Sequence, residues 1–235
     1  LSIPKCKYKG KHLYPATPPK TPAKPAPSKP VRQAPPISPA TGYENGHGWV
    51  DLGLSVKWAT CNVGATNPSD YGGYYAWGET QPKSRYGEHN YFDRLGNNDE
   101  SRGIYKLNGK RVITPTSGHD TAHENWGGRW RMPTDAENEE LSRKCKWRWT
   151  SKNGHNGYVV TGPNGNSIFL PAAGCRKDTD FKNVGENGCY WSSTLSSSYS
   201  FWACNLYLYS RLADDFHYPH SHHRYYGLSV RPVAD

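Results

Sequence analysis

Val50-Asp-Leu-Gly-Leu-Ser-Val-Lys-Trp58 carries an apolar residue at every second position. Alternation of that period puts one set of side chains on one face of an extended chain, so the stretch reads as a strand or hairpin laid over a core. Shorter segments of the same kind follow at Gly157-Tyr-Val-Val-Thr161, Ser167-Ile-Phe-Leu170 and Cys204-Asn-Leu-Tyr-Leu-Tyr209. Helical periodicity is scarce by comparison. Thr134 with Glu137 three residues on forms a capping-box pattern, and Arg143, Lys144 and Lys146 lie where the negative end of the helix dipole falls, which predicts a helix from Thr134 to near Cys145. A second, shorter helix is expected over Asp120 to Asn125, ended by Gly127-Gly128. The resulting fold class is α+β: one or two helices against short antiparallel strands, with long irregular loops. Most of the 9 tryptophans are flanked by Gly or strand-like residues, which suits loops pinned into a core by indole rings.

Outside these segments the composition changes. Residues 1–41 hold 11 of the 19 prolines, seven Lys and one Arg, and no acidic residue. Prolines at that density fix φ and remove backbone donors, so residues 1–42 read as an extended polyproline arm or linker, and residues 43–235 as one domain. The net charge of +9 belongs to the arm, because the rest of the chain carries 21 Lys and Arg against 20 Asp and Glu. Nucleic acid is therefore disfavoured as a partner of the domain, and any such contact falls to the arm. No apolar run is long enough to span a membrane. Six cysteines, at 6, 61, 145, 175, 189 and 204, match no zinc-ligand spacing and leave the disulfide pairing open.

The last 49 residues, Asn187 to Asp235, contain no Lys, Glu, Gln or Met, although the first 186 contain 28 of them. Tyr, Ser, His and small residues take their place. Tyr supplies stiff, amphipathic contact area at low entropic cost and Ser supplies adaptable hydrogen bonds, a mixture suited to recognition more than to a core. The expected contact residues are Ser198, Tyr199, Phe201, Tyr207, Tyr209, Arg211, Asp214, Asp215, Phe216, His217, Tyr218, His220, His222, His223, Tyr225 and Tyr226, within a variable-looking region at about 196–226. Along Cys204–Tyr209 the tyrosines face one way and Leu206 and Leu208 the other, so the tyrosines display and the leucines bury.

Six motifs in order carry a family resemblance: Trp49-Val-Asp-Leu-Gly-Leu-Ser-Val-Lys-Trp-Ala-Thr-Cys-Asn-Val-Gly-Ala65, Asp70-Tyr-Gly-Gly-Tyr-Tyr-Ala-Trp-Gly-Glu-Thr80, Asn125-Trp-Gly-Gly-Arg-Trp-Arg-Met-Pro-Thr134, Asn166-Ser-Ile-Phe-Leu-Pro-Ala-Ala-Gly174, Tyr190-Trp-Ser-Ser-Thr194 and Gly227-Leu-Ser-Val-Arg-Pro-Val233. Together, over about residues 43–233, they resemble the bacterial major paralogous domain family, which implies a C-type lectin fold of the formylglycine-generating-enzyme type. The tract between the last two motifs further resembles the variable region of a diversity-generating retroelement protein. There, adenines of Asn codons are randomised, and the reachable set excludes Lys, Glu, Gln, Met and Trp. Asp214 to Tyr226 contains only reachable residues, whereas Trp202 is unreachable and reads, with Trp191 and Arg231, as scaffold.

Other chemistry is weaker. His217, His220, His222 and His223 are potential metal ligands, but codon randomisation accounts for them and adjacent histidines on a strand diverge. The calcium loop motifs of lectins with the implied fold do not occur. Enzymes of that fold need a redox cysteine pair near the C-terminal end, for which Cys189 with Cys204 is the nearest candidate, and Cys204 lies inside the variable-looking tract. No nucleophile triad, paired carboxylates, P-loop or dinucleotide fingerprint stands out.

The sequence therefore predicts a non-enzymatic receptor-binding or adhesin-type protein without a cofactor. Its place would be extracellular, on a bacterial surface, a pilus or a phage virion, and its partner a protein or carbohydrate receptor on a cell surface. The competing readings are a structural or decoration protein whose arm engages an assembly partner, and an invariant carbohydrate-binding module. Oligomers are compatible with each.

Overall fold

The computed structural model describes residues 36–92, 111–211 and 214–235, with the side chains of 210, 211 and 214–216 excepted. Residues 1–35 of the expected arm lie outside the described residues. The described residues form four antiparallel sheets. Strands β1 (Gly42–Glu44), β2 (His47–Val50), β3 (Lys57–Ala59) and β12 (Val233–Ala234) form a four-stranded sheet in the order β1-β2-β3-β12. Strands β4 (Lys146–Lys152), β5 (His155–Thr161) and β6 (Ser167–Pro171) form a meander. β7 (Cys175–Lys177) and β8 (Asp180–Lys182) are a hairpin, and β9 (Asn187–Leu195), β10 (Trp202–Arg211) and β11 (Asp214–His223) form a sheet ordered β11-β10-β9.

Among the described residues two α-helices accompany these strands, α1 (Thr121–Trp126) and α2 (Asp135–Lys144). Both lie where the capping residues placed them. Thr134 Oγ accepts the Glu137 N–H while the Glu137 carboxylate accepts the Thr134 N–H, closing the box. Asp120 Oδ1 accepts the N–H groups of Ala122 and His123 at α1 and that of Met132 beyond it, and Gly127 ends the helix at a φ of 64°.

The α+β expectation, and with it the lectin-like fold, is overturned by the balance of elements. The structure is 40% strand and 13% helix, with the two helices set against several antiparallel sheets, and is a mostly-β fold. The sequence reading missed β4, β9 and β11, and with them the short strands β1, β7, β8 and β12. Every residue of β9 is buried, so no polar face breaks its sequence into an alternation. The opening alternation also changes form. Val50, Leu52, Val56 and Trp58 are all buried, but the chain between β2 and β3 is a loop, turned at Gly53, which has a φ of 73° and donates its N–H to Asp51 Oδ1.

Indole rings tie the sheets together. Trp77, Trp130 and Trp191 are buried and donate their Nε1–H groups to the carbonyls of Ser192, Glu44 and Tyr75. Each such ring contributes roughly 3 kcal/mol of apolar burial without stranding its polar atom. Arg231, also buried, donates to Asn62 Oδ1 and to the carbonyls of Ala59, Thr60 and Phe169, joining the segment before β12 to β3 and β6. At the front of the domain Ser38 and Ser167 exchange hydrogen bonds, so residues 36–38 run along β6.

Candidate functional site

The β9-β10-β11 sheet gives the tract with the restricted alphabet its shape. Leu206 and Leu208 of β10 are buried with Leu141 of α2, Tyr158 and Val160, which seats one face of the sheet on the helix and the meander. Tyr207 and Tyr209 project from the opposite face and are half-buried. β11 pairs with β10 in a register that sets Tyr218 opposite Tyr207, His220 opposite Asn205 and His222 opposite Ala203, so Tyr218, His220 and His222 share the tyrosine face. An edge strand can carry Pro219 and four histidines because one of its rims needs no hydrogen-bonding partner.

Ring contacts link this face to the flanking loops in one band. Tyr199 and Phe201 lie 5.4 Å apart between ring centroids, Phe201 and His223 5.6 Å, and His223 and Tyr226 5.7 Å. Tyr226 meets His222 at 5.9 Å, His222 meets Tyr207 at 6.2 Å, and Tyr207 meets Tyr218 at 5.8 Å and Tyr209 at 6.4 Å. His220 sits between Tyr207 and His222, and Tyr225 stacks on His223 at 5.1 Å. These are ordinary aromatic separations. Tyr199, at 45% exposure, and Tyr218, at 41%, are the members most open to solvent.

The floor of the band is hydrogen-bonded. Asn187 Nδ2 donates to the Tyr207 phenol oxygen at 2.7 Å, and Asn205 Oδ1 lies 3.2 Å from His222 Nδ1. Tyr207 and Tyr226 pack on a buried cluster that includes Cys175, Cys189 and Trp191. Burial holds His220 and His223 below the usual imidazole range and takes His222 down to about 3, with His220 and His223 adding to the shift on His222. Burial pushes Tyr207 and Tyr218 up. The histidines of the band are thus neutral at pH 7. Lys177 of β7 adds a cation, 5.7 Å from the Tyr226 ring centroid and hydrogen-bonded to its side chain, which raises the lysine.

Several expected contacts lie elsewhere. His217 points to the opposite face, where its ring meets Trp147 edge-on at 4.2 Å and its carbonyl accepts from Ser142 Oγ of α2. Ser198 is exposed in the loop before β10. Arg211, Asp214, Asp215 and Phe216 take up the distal end of the β10-β11 hairpin, with Arg211 opposite Asp214, Ser210 opposite Asp215 and Tyr209 opposite Phe216; their side chains lie outside the described residues. Arg224, which was not among the expected contacts, is buried against Trp77 and Tyr91.

Trp202, Lys177, Asn187 and Asn205 join the site although the sequence reading did not put them there. Trp202, read as scaffold, meets Tyr199 at 5.8 Å and His223 at 5.1 Å. Lying outside the reachable codon set does not keep a residue out of the ring band. The suggested Cys189–Cys204 redox pair is also corrected. Cys189 lies opposite Tyr207, whereas Cys204 falls on the other face, with Leu206 and Ser221.

Among the described residues no group of three or more His, Cys, Asp or Glu side chains gathers to hold a metal ion, and no helix is long and apolar enough to cross a membrane. Compared with known proteins, the chain matches no family model, no curated protein and no solved structure.

Proposed function

We propose that this chain is a non-enzymatic binding protein whose β10-β11 hairpin and flanking loops recognise a protein or carbohydrate receptor on a cell surface. The reading rests above all on the ring band from Tyr199 to Tyr226, drawn almost wholly from the tract with the restricted alphabet. Half-buried tyrosines and neutral histidines over a hydrogen-bonded floor offer flat apolar area together with donors and acceptors, which suits sugar faces and protein hot spots alike. The motif resemblance supports a further step: the hairpin belongs to a diversified protein of the retroelement-variable type, displayed outside the cell on a bacterial surface, a pilus or a phage virion.

Tyr199→Ser and Tyr218→Ser test the proposal, since neither ring is needed to fill the core. Binding to an array of immobilised glycans and to intact cells from the native habitat should be lost in these variants while the melting temperature stays within about 1–2 °C of the parent. Unchanged binding in both variants contradicts the reading. A second reading, an assembly protein, draws on the pairing of Ser38 with Ser167, which fixes where the arm leaves the domain. Deletion of residues 1–35 then removes assembly and spares receptor binding.

A further inference from the structure

We propose that Cys175 and Cys189 form a disulfide that staples the β7-β8 hairpin to the floor of the aromatic face. The backbone brings them together: Gly174 and Gly188 form a parallel bridge, so the next residue on each segment, Cys175 and Cys189, stands side by side with the other. Both are buried in the same core cluster. Their thiols hydrogen-bond to each other, which holds Cys175 below and Cys189 above the ordinary thiol range. Such contact is what bridging requires, because cysteines whose backbones are far apart cannot be joined without moving the chain.

The remaining described cysteines sit elsewhere. Cys61 contacts Thr60 and Thr66, Cys145 caps the end of α2, where burial pushes its thiol up to about 12, and Cys204 is on the far face of β10. The position of the pair gives the bond a consequence. Arg176 bridges Gly227, and Lys177 reaches the Tyr226 ring, so β7 lies between β9 and the segment that follows the histidines. Cys189 in turn lies opposite Tyr207. A bond at this point fixes Lys177 and Tyr226 relative to Tyr207, whatever ligand the face binds, and the inference does not depend on the proposed function.

The chemistry balances with a small-molecule disulfide such as oxidised glutathione as oxidant. The Cys175 thiolate attacks one glutathione sulfur, forming a mixed disulfide and releasing one glutathione thiolate, which takes up a proton. Cys189 then loses its proton and its sulfur attacks that of Cys175, releasing the second glutathione. Two protein thiols are oxidised and one glutathione disulfide is reduced to two thiols.

The test equilibrates the full chain in glutathione buffers from reducing to oxidising, traps free thiols by alkylation and maps cross-linked peptides by mass spectrometry. Under oxidising conditions a peptide linking Cys175 to Cys189 is expected, with a melting temperature about 5–10 °C above that of the reduced protein, as for a loop of this length. Cys175→Ser should remove both the linked peptide and the difference in melting temperature between the two buffers. Should that variant fail to fold, the wild-type peptide map decides alone. Full alkylation of both thiols at every potential, or a linked peptide that joins Cys189 to any other cysteine, overturns the proposal.

Discussion

β9 and β11 flank the same central strand and could hardly differ more. All nine residues of β9 are buried, with Trp191 at 0% exposure, while β11 runs along the sheet edge with Tyr218 at 41%. β9 is held by the core on both faces, and its side chains meet Trp77, Tyr75 and Cys175. β11 has one face on α2 and Trp147 and the other in the ring band. A sheet built this way can change what its edge displays without disturbing what holds it. Burial at β9 constrains nearly every side chain, whereas at β11 only one position in two is constrained.

Mutation should expose this asymmetry most sharply at Trp191. Trp191→Ala empties a buried ring site and leaves the Tyr75 carbonyl with only the Leu228 N–H of its two donors, and urea denaturation should report a loss of about 3–5 kcal/mol. A loss below 1 kcal/mol would mean that β9 is not the anchor described. pH offers a second contrast. Asp135, buried beside β9 with its N–H on Thr194 Oγ, has its carboxyl raised to about 7, first by burial and then by Glu139. A carboxyl raised in the folded state stabilises fully below its unfolded value near 4, and this contribution is lost as pH climbs through 7. Asp135→Asn should therefore be more stable than the parent at pH 8, by up to about 4 kcal/mol, with most of that difference gone at pH 4. His222 works in the opposite direction. Its folded value is depressed, so stability is intact above its unfolded value of 6.5 and falls as pH drops from there toward 3. His222→Asn should flatten the acid limb of a stability profile and leave the alkaline limb alone.

Asp120→Ala removes the acceptor of three buried or half-buried N–H groups around α1 and should cost about 2 kcal/mol by the same denaturation assay. The smallest effect belongs to the edge. Tyr218→Ser should change stability by less than about 0.5 kcal/mol while removing binding, and a loss as large as that at Asp120 would place Tyr218 in the core after all.

Local signals in the sequence were read more successfully than the architecture. Both helices carry their boundaries in single residues, Thr134 with Glu137 and Asp120 with Gly127, because a cap is a short-range hydrogen bond that the sequence spells out. The burial of Val50, Leu52, Val56 and Trp58 was also legible, although the turn at Gly53 that breaks the strand was not. The class was misjudged because sheet content resides in strands without alternation. β9 lacks it since both faces are covered, and β11, Asp-Asp-Phe-His-Tyr-Pro-His-Ser-His-His, has the composition of a loop and becomes a strand only because β10 supplies a ten-residue partner. On β10, alternation foretold the facing of Tyr207 and Tyr209 against Leu206 and Leu208. His217 was misplaced because composition is blind to facing, and only the register with β10 puts it against Trp147. Lys177 and Asn187 were missed because they come from strands far from the tract in sequence or ahead of its variable part.

The most direct test of the central claim is deep sequencing of the encoding locus across its native population. If the β10-β11 edge is a diversified recognition face on a fixed scaffold, differences concentrate in codons for residues 196–226, at adenine-derived positions, and pass over Trp202 and the β9 codons. A tract as uniform as residues 49–190 would contradict that claim and leave the ring band as a fixed surface.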